Sequence, residues 1–147
     1  MIQNNYYYTF LILLLFPFHA LNAASVNELS LGNEAFEKKR FTEALVHYHD
    51  VESEQGSTAI LAYNKGVTFY RLKKYQAAEN SLYRAINLDA NIGFALLQLG
   101  LTQIKLDKLD VAKENFQKAI DLSSNSYAAY LSKNMLLKIN TPKRYVD

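Results

Sequence analysis

A period of 34 residues runs through most of the chain and constrains its fold more than any other feature. Gly32, Gly66 and Gly100 are separated by this period. Four further columns keep it: Phe41, Tyr75 and Leu109; Ala44, Ala78 and Ala112; Tyr48, Leu82 and Phe116; and Val51, Ala85 and Ala119. Five columns with one period through three copies indicate a repeat protein. The predicted repeats are residues 25–58, 59–92 and 93–126.

The apolar residues inside each repeat recur at helical spacing. In the second repeat, Ala62, Gly66 and Phe69 lie at positions i, i+4 and i+7, as on one face of a helix. A second apolar stripe begins at Tyr75, after the basic pair at residues 73–74. Each repeat is therefore predicted to be two helices joined by a short turn.

The period places glycine in the interior of each first helix. Glycine in a helix costs about 1 kcal/mol relative to alanine, so a close contact between helices must offset that cost. We expect each glycine to face an alanine of the second helix. The expected pairs are Gly32 with Ala44, Gly66 with Ala78, and Gly100 with Ala112.

These residues resemble the tetratricopeptide repeat, a helical-hairpin motif of the same length. The resemblance rests on Leu31-Gly32, Ala44-x3-Tyr48, Gly66, Phe69, Ala78-x3-Leu82, Leu99-Gly100 and Ala112-x3-Phe116. It implies an all-α, right-handed superhelix of three hairpins, closed by a capping helix at residues 127–139 and followed by a tail at residues 140–147. One departure is that Asn134 stands where the next glycine would fall.

A second apolar face lies on the first helices, away from the glycines. It comprises Leu29, Asn33 and Phe36; Tyr63, Val67 and Tyr70; and Leu97, Leu101 and Ile104. In the tetratricopeptide family the corresponding surface lines a concave groove that holds peptides. The resemblance therefore implies that these residues, together with Asn64, bind a partner. The alternative is that some of them belong to the core or are covered by the end of the chain.

The same surface differs from that of one specialised subfamily. Chaperone-binding tetratricopeptide domains hold a C-terminal carboxylate with lysine, asparagine and arginine side chains. Asn33 and Asn64 match the asparagines, but Leu29, Phe94 and Gln98 stand where cationic side chains are expected. We therefore do not expect carboxylate capture of that type.

The first 24 residues form a different kind of segment, because they contain no Lys, Arg, Asp or Glu. An apolar run at residues 10–16 is followed by Pro17 and by small residues up to Ala23 and Ala24. This pattern predicts a secretory signal peptide cleaved after one of those two alanines, with an uncleaved membrane anchor as the alternative. The rest of the chain is then expected to be periplasmic or secreted, in a bacterial envelope.

Composition excludes several classes of function. The chain has no cysteine, which rules out disulfides, thiolate metal sites and a cysteine nucleophile. A net charge of +2 does not indicate a nucleic-acid-binding surface. No phosphate-binding loop or catalytic triad is visible, and His47 and His49 would point to opposite sides of a helix. We expect no enzymatic activity, no metal, no cofactor and no nucleic-acid partner.

The sequence thus predicts an exported scaffold that binds a protein or peptide segment and serves in the assembly of bacterial envelope complexes. Two alternatives remain. A self-associating structural module could use the uneven charge, since the first repeat has three basic and seven acidic residues while the second has five and two. A small three-repeat secretion chaperone is the other. Membrane contact is expected only if residues 1–24 are retained.

Overall fold

The computed structural model describes residues 28–89 and 91–141, and within these ranges the chain forms seven α-helices and no strand. The predicted all-α class is therefore confirmed. The first helix, α1, is described over residues 28–37. The others are α2 (Phe41–Gln55), α3 (Ala59–Arg71), α4 (Tyr75–Leu88), α5 (Gly93–Lys105), α6 (Leu109–Leu122) and α7 (Tyr127–Asn140). None of the described helices is long and apolar enough to cross a bilayer.

The chain divides after Gly56 into two compact units. The described part of the first unit holds α1 and α2, and that of the second unit holds α3 to α7. In the second unit, α3 contacts α4 and α5, α5 contacts α6 and α7, and α6 also contacts α7. Within this unit the first helices of successive repeats are therefore neighbours.

The turns inside the three hairpins share one backbone geometry. Lys39, Lys73 and Asp107 have φ angles of 60°, 59° and 59°, in the left-handed region that non-glycine residues seldom occupy. In each turn this residue donates its backbone N–H to the carbonyl three positions earlier, at 2.9 to 3.2 Å. The 34-residue period therefore extends to the backbone of the turns.

The close contact at each glycine is made by a different residue from the one that the sequence predicted. A Cβ atom built on Gly66 would lie 2.7 Å from Cγ of Leu82, while the nearest atom of Ala78 is its carbonyl oxygen at 3.4 Å. The corresponding Cβ atoms would lie 2.6 Å from the Tyr48 ring at Gly32 and 2.6 Å from the Phe116 ring at Gly100. Each glycine therefore accommodates the large apolar residue four positions beyond the alanine.

Substitution of Gly66 by alanine is expected to destabilise the fold despite alanine's higher helix propensity. Leu82 is fully buried, so it cannot move away from the added methyl group, and overpacking of this kind costs about 1–3 kcal/mol. The measurement is the free energy of unfolding in urea, followed by circular dichroism.

Gly93→Ala is the matched control. The added Cβ would lie 3.4 Å from the Ala128 methyl group, which is an ordinary contact, so this variant should be at least as stable as the original chain. If Gly66→Ala is as stable as Gly93→Ala, the contact with Leu82 does not limit the fold.

Candidate functional site

The predicted groove residues of α3 are all half-buried. Tyr63 packs against a core cluster that contains Ala62, Ala85 and Ala95, and burial raises the pKa of its hydroxyl. Tyr70 makes an edge-to-face contact with Tyr75, at 5.6 Å between ring centroids, across the hairpin turn. Both tyrosines therefore have packing partners inside the second unit, in addition to any contact with a ligand.

The predicted groove residues of α5 lie near α7. Leu97 is 6% exposed and forms a core cluster with Ala112 and Phe116. Leu101 and Ile104 pack against this cluster, together with apolar side chains of α7, namely Leu131, Met135, Leu136 and Ile139. The packing of the third repeat therefore uses Leu97, Leu101 and Ile104.

The first unit places its three predicted groove residues differently. Asn33 is exposed, and its Oδ1 accepts a hydrogen bond of 2.8 Å from the Tyr48 hydroxyl. Burial raises the pKa of that hydroxyl to about 12. Phe36 is half-buried and contacts the Phe41 ring at 5.4 Å between centroids, and Leu29 is half-buried.

The two histidines differ in environment. Nδ1 of His47 lies 2.6 Å from a carboxylate oxygen of Glu28, and its side chain is 21% exposed. His49 is exposed. Among the described residues, no three histidine, aspartate or glutamate side chains are grouped so that they could hold a metal ion.

Two exposed apolar residues extend the candidate face beyond the predicted set. Ile60 is 65% exposed and Phe94 is 45% exposed, and they are 34 residues apart. On α3, Ile60, Asn64 and Val67 follow one another at i, i+4 and i+7, and α3 contacts α5. The period that aligned the glycines also aligns these two residues, so the sequence contained the signal.

A buried polar network joins α4, α5 and α6. Its centre is Glu79, which is 4% exposed. Its carboxylate accepts hydrogen bonds from Lys108 at 2.6 Å, from Gln76 at 2.9 Å and from Gln103 at 3.4 Å. Asn115 donates to the side-chain oxygen of Gln103 at 2.8 Å. The buried carboxylate of Glu79 therefore has partners on its own helix, on α5 and at Lys108, the residue that precedes α6.

The pKa of Glu79 is lowered below its usual value of 4.5. Burial acts in the opposite direction, but the hydrogen bonds from Lys108, Gln76 and Gln103 and the positive charge of Lys108 outweigh it. A carboxylate with a lowered pKa stabilises the folded state above the unfolded-state pKa, and this stabilisation is lost as the pH falls through the folded-state value.

The original chain is expected to lose stability as the pH falls below 4.5, and Glu79→Gln is expected to lose less over the same range because it has no carboxylate to protonate at this position. At neutral pH the free energy of unfolding of the variant should be about 1–3 kcal/mol lower than that of the original chain, because the substitution weakens hydrogen bonds to a buried group. Urea unfolding at a series of pH values measures both effects. An unchanged acid dependence in the variant would show that Glu79 does not control it.

A comparison with models of known protein families gives the same kind of repeat as the helical hairpins. Residues 59–92 and 95–126 match the model of the tetratricopeptide repeat. The prediction of tetratricopeptide repeats is therefore confirmed for these two stretches of the chain.

The chain is 34% identical over 113 residues to RNA polymerase II-associated protein 3 of Xenopus tropicalis, and the match covers 77% of this chain. The same protein of Xenopus laevis is 33% identical over 116 residues, or 79% of this chain. The chain spans 17% of the length of either frog protein. The similarity therefore concerns one repeat region of much longer proteins.

Solved structures give the same fold. The second TPR domain of human RPAP3, in complex with the HSP70 peptide SGPTIEEVD, superposes with a TM-score of 0.71 at 24% identity, covering 80% of this chain and 98% of that domain. The second TPR of Spaghetti (RPAP3), bound to the HSP90 peptide SRMEEVD, gives a TM-score of 0.66 at 26% identity, covering 71% and 99%.

The predicted location in a bacterial envelope is wrong. The matching relatives are frog proteins named for their association with RNA polymerase II, and neither a periplasmic or secreted location nor the membrane-anchored alternative fits such proteins. The prediction came from a short apolar run followed by small residues, which is a local pattern. Residues 1–24, on which the signal-peptide prediction falls, lie outside the described residues.

Proposed function

We propose that the second unit is a peptide-binding module, and that a peptide segment of a partner protein lies across α3 and α5. The observation that carries the proposal is the exposure of Ile60 and Phe94 at equivalent positions of these two neighbouring helices. The half-buried side chains of Asn64, Val67 and Gln98 continue the two stripes. Exposed apolar residues grouped in this way mark a binding surface.

The structures of related domains support peptide binding as the class of function. The second TPR domains of human RPAP3 and of Spaghetti hold acidic chaperone peptides. In this chain Phe94 and Gln98 stand where chaperone-binding domains are expected to have cationic side chains. We therefore propose that the peptide is held by apolar contact and by the amide groups of Asn64 and Gln98, and that a terminal carboxylate is not required.

The division of the chain is part of the proposal. Residues 25–58, 59–92 and 93–126 are proposed as repeat units, with residues 127–139 as the capping helix and residues 140–147 as the tail. The match of the family model to residues 59–92 and 95–126 supports the second and third units. Leu29, Asn33 and Phe36 of the first unit remain predictions from the sequence.

The role of the carboxylate is tested with the peptide SRMEEVD, prepared with a free and with an amidated C-terminus. Fluorescence anisotropy of the two labelled peptides with the full chain should give affinities that agree within about twofold. Phe94 and Gln98 stand where a cationic side chain would be needed to favour the free carboxylate over the amide. A loss of tenfold or more on amidation would contradict the proposal.

The face itself is tested with peptides selected from a display library on the full chain. Ile60→Asp should weaken their binding by at least about tenfold, since it introduces a charge into an apolar contact. It should leave the thermal melt unchanged, because Ile60 is 65% exposed. Val111→Asp on α6 is the matched control, at a side chain that is 39% exposed. Equal effects of the two substitutions would place the binding surface elsewhere.

A further inference from the structure

The outer face of α7 is a second surface, which adjoins the proposed peptide site at Phe94. Tyr127, Tyr130 and Leu137 are 65%, 59% and 66% exposed. On the opposite side of the helix, Ala128, Ala129 and Ser132 are buried. The helix is therefore anchored by one side and presents large apolar residues on the other, although such residues seldom cluster on a surface without a partner.

The exposed residues have the spacing of a coiled-coil seam. Tyr127, Tyr130, the half-buried Asn134 and Leu137 follow one another at intervals of three, four and three residues, which is the alternation of a and d positions in a heptad repeat. In this register Lys133 occupies a g position and Lys138 an e position, one on each side of the seam. Both lysines are exposed, and α7 contains no acidic residue.

The surroundings enlarge the seam at both ends. At its N-terminal end the Tyr127 ring is stacked on Tyr130 at 6.1 Å and contacts Phe94 at 6.4 Å between centroids. Towards its C-terminal end an open pocket of about 480 Å³ lies between α6 and α7, with Ile120, Leu136 and Leu137 among its lining residues. A helix laid along the seam would therefore meet apolar side chains of α5 and α6 as well as α7.

We propose that this seam, formed by Tyr127, Tyr130, Asn134 and Leu137, binds an amphipathic helix of a partner protein that carries acidic residues at its e and g positions. Charge complementarity selects this occupant, since e and g residues determine the pairing of helices. The ammonium group of Lys133 donates one of its three protons to the carbonyl oxygen of Ser124, at the long distance of 3.5 Å. Its charge remains available to a carboxylate.

Other occupants fit the charges less well. In a pair of identical α7 helices Lys133 would face Lys138 in the parallel orientation, and each lysine would face its own copy in the antiparallel one. Self-association through the seam therefore opposes like charges. Within this chain, residues 1–27 contain no acidic side chain, and residues 142–147 contain one acidic and two basic ones.

The test uses the full chain and two labelled designed helices with leucine at every a and d position. One helix has glutamate and the other lysine at all e and g positions. Fluorescence anisotropy should show that the glutamate helix binds at least about tenfold more tightly. Lys133→Glu combined with Lys138→Glu should reverse this preference. Lys118→Glu, at an exposed lysine of α6 outside the seam, should leave it unchanged.

Leu137→Asp should abolish binding of the glutamate helix while leaving the circular-dichroism melt intact, because Leu137 is 66% exposed. Three results would overturn the proposal. They are equal affinity for the two helices, no binding of either helix, and a dimer in analytical ultracentrifugation that Leu137→Asp dissociates. The peptides selected for the α3 and α5 face should bind the Leu137→Asp variant normally, so a failure of the seam and a failure of the peptide site can be told apart.

Discussion

The contact between a glycine of one helix and a large apolar side chain of the next is the constraint on which each hairpin depends. At Gly66 the Leu82 side chain occupies the space that a Cβ atom would need, and the same arrangement recurs with Tyr48 at Gly32 and Phe116 at Gly100. Close approach lets the large residue bury completely and offsets the poor helix propensity of glycine. The remaining columns of the repeat are compatible with this spacing, since Ala44, Ala78 and Ala112 are all fully buried.

The period in the sequence predicted the hairpins because a glycine, a buried alanine and a large residue recur together in every copy. It did not predict which of them touch. A column shows that a residue type is required, whereas the partner depends on the direction in which each side chain leaves its helix. The turns show the same limit, because nothing in the side chains of Lys39, Lys73 and Asp107 indicates a positive φ.

Only part of the candidate site could be predicted, because the burial of each stripe depends on which other helices pack against it. The stripes on α3 and α5 look alike in sequence, but Leu97 of the α5 stripe is buried with Ala112 and Phe116 of α6, and apolar side chains of α7 pack against the same cluster. Conversely, Ile60 and Phe94 were not among the predicted groove residues, although both are exposed. Exposure separates these cases, and exposure depends on residues that are distant in sequence. The location was mistaken for a related reason, since a local apolar run carries no information about the relatives of the rest of the chain.

The second unit contains charged side chains in two different environments. Glu79 is buried, and its carboxylate is surrounded by Lys108, Gln76 and Gln103, so its electrostatic interactions are completed inside the fold. On α7 the two seam lysines are exposed and the helix has no acidic residue to pair with them. A buried charge must be paired within the fold because leaving it unpaired is costly, whereas an exposed charge is stable in water and can be paired by a partner. The same positive charge that opposes pairing of two α7 helices favours an acidic helix, so it discriminates among partners in a way that the apolar residues of the seam cannot.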